Sequence, residues 1–478
     1  MMDVTRKPKV GLLLVGAERF RTLGEGTKRG TYLARKQARA RQMAEDVARW
    51  ADLVWPGIVF TREEMRHAIA TFEAQKPDCI LAIYLSWAED FAWVRFLRDM
   101  PSIPILFAHP VASSIVLGET SDDDEFTEFL CYGGLVGTLE ASGDNARFKR
   151  PMFESALGTW EEIQNRCQVF SSAARTRATL RQSTIGLLAC ENEAMWSTYV
   201  DPYDVFMKVG PELRFLSIAE LTDEIARTTD SDVDQVIAKL DATYERLSDV
   251  DESNYRASVC ASLAMERLAA RYDLDLLVLN DIDTVLFRQV GLRPGFWPTS
   301  DQTRTLVVPE GEIGGGIASY ILKLLSGGDH VNFIEPFHID RTNNNFAAGH
   351  AGPNDYREGK ARDTKIARDV RFARTTWKHA GAPFAWHVFS PGEKTMLHCS
   401  ENNGRFKLVT TRIEALATDH ILATYSHGLF RAIGQTNEEL FRKLLDIGVT
   451  QHYAIVPGNY LDQIRETAKL LDFDYYEV

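Results

Sequence analysis

"KVGLLLVG", residues 9–16, is a short apolar run that ends in glycine, and its reading decides the fold. Polar residues do not interrupt it from Val10 to Val15. A run of this kind fits a strand covered on both faces, as in a parallel sheet, and not the alternation of a half-exposed strand. A polar loop follows, "AERFRTLGEGTKRG" (17–30), and then a helix-like segment, "TYLARKQARARQMAEDVARW" (31–50). "DCILAIYLSW" (78–87) and "IPILFAHP" (103–110) read as two more buried strands, with the helically spaced "AEDFAWVRFLRDM" between them. Strand–helix–strand alternation predicts a doubly wound α/β domain. Ligands of such sheets gather beyond the carboxyl ends of the strands, where Tyr84, Trp87 and His109 fall.

A second α/β unit begins near "STIGLLAC" (183–190). Its helices include "SDVDQVIAKLDATYERL" and "NYRASVCASLAMERLAARY", and its strand "LDLLVLND" (274–281) ends in Asn280 and Asp281. After about residue 325 the pattern changes to short alternating strands: "HVNFIEPFHID", "FAWHVFS", "TMLHCS" and "RFKLVTTRIEAL". "NNGR" (402–405) is a hairpin turn, because Asn-Gly suits the turn that matches strand twist. The chain closes with a helix, "NYLDQIRETAKLLD". The acidic "SDDDEF" (121–126) reads as a solvated loop. The expectation is therefore an α/β protein. Two doubly wound, Rossmann-like domains (1–170 and 171–325) precede a β-rich, barrel-like domain (326–478) with a closing helix.

Bulk properties narrow the function. The 478 residues exceed what one core supports. Apolar content of 45% and charged content of 25% are ordinary for a globular protein. A net charge of −13 argues against nucleic acid or an anionic membrane as partner. The amino-terminal apolar run is too short for a signal peptide, and no stretch approaches the ~18 apolar residues that span a bilayer. The six cysteines form no CxxC pair, so a reducing, cytoplasmic setting is expected, with neither a disulfide framework nor a thiolate zinc site.

Four residues carry the candidate chemistry: Glu310, before "GEIGGG"; Glu335, in "NFIEPFHID"; His350, ending "FAAGH"; and His452, in "GVTQHYAIVPGNY". Phe333, Ile334 and Phe337 look like core, so Glu335 stands close to an apolar wall. Two carboxylates and two imidazoles offer oxygen and nitrogen donors that suit a divalent first-row ion. Each also has a structural reading. Glu310 could be a first-turn acid, a role that Glu312 fits better. Glu335 could pair with Arg341, and His350 and His452 could be core histidines. His330, His338, His387, His398 and His427 are equally available as ligands. The glycines 314–316 lack the Lys-Ser/Thr of a phosphate loop and read as close backbone packing.

These segments resemble the L-arabinose isomerase family and, more distantly, the L-fucose isomerases. "EGEIGGGIASYILKLLSGG" resembles that family's Glu-Gly-Asp segment, helix and glycine pair. "NFIEPFHID" and "AAGH" resemble its second metal-binding glutamate and first metal-binding histidine. "HVFSPGEKTMLHCSENNGRFKLV" resembles a Thr-Gly-Pro strand with its hairpin, and "GVTQHYAIVPGNYLDQIRETAKLLDFD" the carboxyl-terminal block. The resemblance implies Glu310, Glu335, His350 and His452 as metal ligands, with Glu310 and Glu335 also as acid and base. It implies His109, Tyr132 and Gln451 as substrate-binding residues. The metal is expected to be Mn²⁺, with Co²⁺ or Mg²⁺ as alternatives. The implied reaction is aldose–ketose isomerisation of a small sugar, a pentose or a relative, through an enediol. It also implies a homo-oligomer of three or six copies. Gln451 replaces one member of a histidine pair, Leu130 to Tyr132 lack an expected glutamine, and Gly314 to Gly316 replace Trp-Lys-Thr. Those departures touch the sugar pocket. The alternatives are a non-catalytic sugar-binding or sensor protein, a metal enzyme of the same fold acting on another sugar derivative, and an oxygenase using two histidines and one carboxylate.

Overall fold

The run at 9–16 becomes β1 (Lys9–Val15), buried along nearly its whole length in the computed structural model, which describes residues 3–114, 122–284, 286, 295–358, 363–371 and 373–478. It pairs in parallel with β2 (Asp52–Val54), β3 (Ile58–Val59) and β4 (Cys79–Tyr84). β5 (Ile105–Pro110) and β6 (Phe153–Gly158) extend the sheet to the order β2-β1-β4-β5-β6. The strand order therefore reverses between β1 and β4, the place in such a sheet beyond whose strand ends ligands commonly sit. Trp93 stacks on Phe96 and Phe107 within the core of this sheet. The sheet lies in a compact unit, Arg6–Ala178.

The acidic run differs from its loop reading. Asp122 accepts hydrogen bonds from the backbone of Asp124 and Glu125 and caps a helix, Asp123–Tyr132. Three carboxylates in a first turn are favourable at the positive end of a helix, so the negative charge starts the helix here. Residue 121 lies outside the described residues.

The other compact unit comprises Thr179–Val478 with Met1–Thr5. It holds a parallel sheet of β7 (Thr184–Leu188), β8 (Glu212–Leu216), β10 (Leu276–Leu279) and β11 (Leu306–Val308), ordered β11-β10-β7-β8. The short β9 (Glu245–Arg246) pairs instead with β14 (Thr364–Arg368), which pairs with β15 (Pro383–His387). β12 (Asn332–Asp340), β13 (Asn345–His350), β16 (Gly392–Asn402), β17 (Arg405–Leu416), β18 (Ser426–Ala432) and β19 (Tyr453–Pro457) run antiparallel in the order β16-β19-β12-β13-β18-β17. β17 returns to β16, which closes a six-stranded barrel. The chain is thus mixed α/β, with parallel Rossmann-like sheets and a closed antiparallel barrel. Asn403 and Gly404, both at positive φ, make the β16–β17 hairpin. The helix Leu461–Leu471 does not end the chain: β20 (Asp474–Glu477) follows and pairs in parallel with β17. The aromatic pair Tyr475-Tyr476 favours a pleated edge over continued helix.

One helix, Ile313–Leu325, touches both the parallel sheet and the barrel of this unit and is buried at every position. A helix apolar on all sides belongs inside a core. Its three successive glycines cost about 2–3 kcal/mol of helix propensity relative to alanine, and close packing offsets that cost. A Cβ at Gly314 would stand 2.6 Å from the Cys399 carbonyl oxygen of β16. One at Gly315 would stand 2.6 Å from the Phe333 ring of β12, and one at Gly316 2.9 Å from Leu276 of β10. The glycines let the helix lie against the barrel on one side and the parallel sheet on the other. Gly314→Ala is expected to lower stability by about 1–3 kcal/mol through overpacking, despite alanine's better helix propensity. Urea unfolding measures this, and a variant more stable than the parent would contradict the packing.

Candidate metal centre

The turn between β11 and the glycine helix carries two glutamates. Glu310 has φ +65° and Gly311 φ +73°. A non-glycine residue in the left-handed region is strained and persists only where its surroundings hold it. Two bonds hold this one. The Glu310 N–H donates to Asp281 Oδ1 at 2.9 Å, and the Gly311 N–H to the Leu279 carbonyl at 3.1 Å. Leu279 ends β10 and Asp281 lies two residues beyond it, so the strained turn is anchored at the carboxyl edge of the parallel sheet.

The barrel supplies the histidines. His350 ends β13, and His452 stands immediately before β19. Both are buried, and Phe333 packs against both rings at 5.2 and 4.8 Å between centroids. Phe333 is held in turn by Asn354, which accepts from its N–H at 2.8 Å and donates to its carbonyl at 3.1 Å. The Nε2 atoms of the two histidines lie 3.3 Å apart. Glu310 oxygens lie 3.9 Å from His350 Nε2 and 3.6 Å from His452 Nε2. One donor atom from each of Glu310, His350 and His452 lies within 4.8 Å of the others, and no other such group of three occurs among the described residues.

Ring partners set the chemistry. His350 Nδ1 donates to the Ala351 carbonyl at 2.5 Å. His452 Nδ1 donates to a Glu312 carboxylate oxygen, and both side chains are buried. With protons on both Nδ1 atoms, the Nε2 lone pairs face each other beside a carboxylate. That arrangement calls for a positive charge between them, either a proton or a metal ion. Burial pushes the His452 pKa down, but the hydrogen bond to Glu312 and the charges of Glu312, Glu310 and Glu335 outweigh it and hold the pKa above the ordinary value. A carboxylate behind a histidine, fixing its tautomer, is the usual second layer of a metal site.

Each expected residue can now be placed. Glu310, His350 and His452 converge. Glu335 is not in that group, although its charge acts on His452. Glu335 pairs with Gly349 of β13 and directly follows the last β12–β19 pair, Ile334↔Tyr453. Arg341 bonds Glu438. Phe337 is only partly buried and packs on Tyr425. Gln451 is exposed and donates to Met195 Sδ. His109 and Tyr132 share a cavity of about 520 Å³ in the Arg6–Ala178 unit. His109 is 7% exposed, and burial lowers its pKa, which favours the neutral ring. Of the other histidines, His330 meets Asp355, His398 bonds the His452 carbonyl and His427 accepts from Ile421 N, while His338 is exposed and His387 is buried with neither ring nitrogen hydrogen-bonded. Glu312, read above as a first-turn acid, caps the glycine helix by position but spends its carboxylate on His452. The signal for it was a second carboxylate two residues from Glu310.

No family model matches the chain, and no curated protein matches it. Among solved structures it is similar to a crystal structure of an ABC sugar transporter (periplasmic sugar binding protein) from Legionella pneumophila. The identity is 11%, over 66% of this chain and 95% of that one, with a TM-score of 0.16. A likeness at that level carries no argument about function. No helix among the described residues is long and apolar enough to cross a membrane.

Because Glu312 orients His452, Glu312→Gln is expected to weaken divalent-ion binding about 10–100-fold, as read by calorimetry. Unchanged affinity would remove Glu312 from the site.

Proposed function

We propose that the chain is a metal-dependent aldose–ketose isomerase acting on a small sugar, a pentose or a close relative. One observation carries the reading: two histidine lone pairs and the Glu310 carboxylate converge on one point. This donor set, with two imidazole nitrogens, fits Mn²⁺ or Co²⁺ better than Mg²⁺, which prefers oxygen ligands, and the absence of a thiolate from it disfavours softer ions. The resemblance of "EGEIGGG", "NFIEPFHID", "AAGH" and "GVTQHYAIVPGNY" to L-arabinose isomerase segments supports the same reading.

Glu310, His350 and His452 would hold the ion, with Glu335 as a further ligand or neighbour. When bound, a divalent ion supplies Lewis-acid polarisation of a sugar's adjacent oxygens. The protein's own groups then move the proton. Glu335 stands outside the converging donors, yet its charge acts on His452, so we assign it the proton transfer. It takes the proton from C2 of the aldose and returns it to C1, while the hydroxyl proton of O2 passes to O1. A positioned carboxylate contributes about 10²–10⁴-fold to such a transfer. Glu312 keeps His452 in the tautomer that presents Nε2, and Phe333 excludes water from one side of the rings. The same reading includes a homo-oligomer of three or six copies.

The test is a screen of aldoses and ketoses with Mn²⁺, Co²⁺ or Mg²⁺ against chelated protein. Glu335→Gln is expected to lose turnover by about 10²–10⁴-fold while still binding Mn²⁺. Glu310→Gln is expected to lose both. Full activity in both variants would refute the assignment. Sugar binding without any turnover would favour the sensor reading.

A further inference from the structure

The cavity in the Arg6–Ala178 unit opens beyond the ends of β4 and β5, beside the place where the strand order reverses. Crevices at that position of a doubly wound sheet are where small ligands sit. Its volume, about 520 Å³, exceeds what a lone inorganic ion needs and suits a sugar-sized molecule. Arg29, Arg35, Lys36 and Arg39 line it, with His109 and Tyr132.

These four cations are not equivalent. Arg29 and Arg35 are paired with Asp124, Glu125 and Glu128, so their charge is largely matched. Lys36 is only 5% exposed, and its ammonium donates to two neutral acceptors, the Leu85 and Cys131 carbonyls. Among the described residues no carboxylate forms an ion pair with it. A buried charge without a counter-charge is costly. Burial brings the Lys36 pKa down to about 8; Cys131 and Glu128 act against that fall and Arg39 acts with it. Arg39 is exposed, one helical turn along, with its guanidinium 5.9 Å from the Trp160 ring and no ion pair among the described residues. Like charges at that spacing on one helix repel. An anion in the cavity would supply the direct ion pair that neither side chain makes among the described residues, Glu128 acting on Lys36 only at a distance.

We infer that this cavity binds a small, sugar-sized molecule carrying a phosphate or a carboxylate, held by Lys36 and Arg39. The net charge of −13 speaks to the whole surface, whereas recognition here depends on two unmatched cations in one crevice. The inference does not rest on the isomerase reading, and its test uses chelated protein without turnover, so the two can fail separately.

The experiment is calorimetric titration of the full chain with inorganic phosphate, ribose 5-phosphate, gluconate and uncharged ribose. At least one of the two charged organic probes should bind more tightly than ribose; which one does names the acidic group. Arg39→Gln, at an exposed position, should weaken that binding about tenfold or more, the loss of one charge-assisted contact. Lys36→Met should do the same, with circular dichroism confirming the fold. Three results would each overturn the inference: ribose binding as well as the anions, no anion binding at millimolar concentration, or Arg39→Gln binding like the parent.

Discussion

A buried helix that could not lie where it does with side chains larger than hydrogen at positions 314–316 governs the candidate site. Gly314 meets the Cys399 carbonyl, Gly315 the Phe333 ring and Gly316 Leu276. Their close approach puts the start of the helix between the end of β10 and the barrel strands β12, β16 and β19. From that start Glu312 reaches His452, and the strained turn before it carries Glu310. Packing, backbone strain and donor geometry are therefore one arrangement. Helix propensity is given up for proximity, and proximity brings a carboxylate from one sheet to two imidazoles from another.

The electrostatics of the centre follow from which ring nitrogen is occupied. Ala351 and Glu312 take the Nδ1 protons, so both Nε2 atoms point inward as acceptors. Two facing acceptors and a carboxylate are unstable without a cation. The hydrogen bond to Glu312 and the charges of Glu312, Glu310 and Glu335 favour a proton on His452, against the effect of its burial. A divalent ion would compete with that proton for the same place. The acid on the largely apolar strand β12 has a related explanation: the negative charge of Glu335 acts on the same histidine.

Much of this was legible in the chain. "KVGLLLVG" and "LDLLVLND" announce buried parallel strands because no polar residue interrupts them. Asn403-Gly404 announces its hairpin because both residues accept positive φ. The glycine run was legible as close packing. Other features depended on tertiary context. "SDDDEF" looks solvated until Asp122 caps the helix and Arg29 and Arg35 fold back onto its acids. β20 follows a helix and forms only because β17 offers an edge. Glu312 resembles any first-turn acid, and only the return of the chain more than a hundred residues later brings His452 to it. The unmatched charge on Lys36 is likewise invisible in a sequence, since it depends on which carboxylates chose Arg29 and Arg35 instead.

The central claim is that three side chains share one cation. Anomalous diffraction from crystals grown with Mn²⁺ addresses it directly. The account predicts a manganese peak contacted by a Glu310 oxygen and by Nε2 of both His350 and His452. A manganese peak elsewhere, or none at this position with the metal in excess, would contradict it.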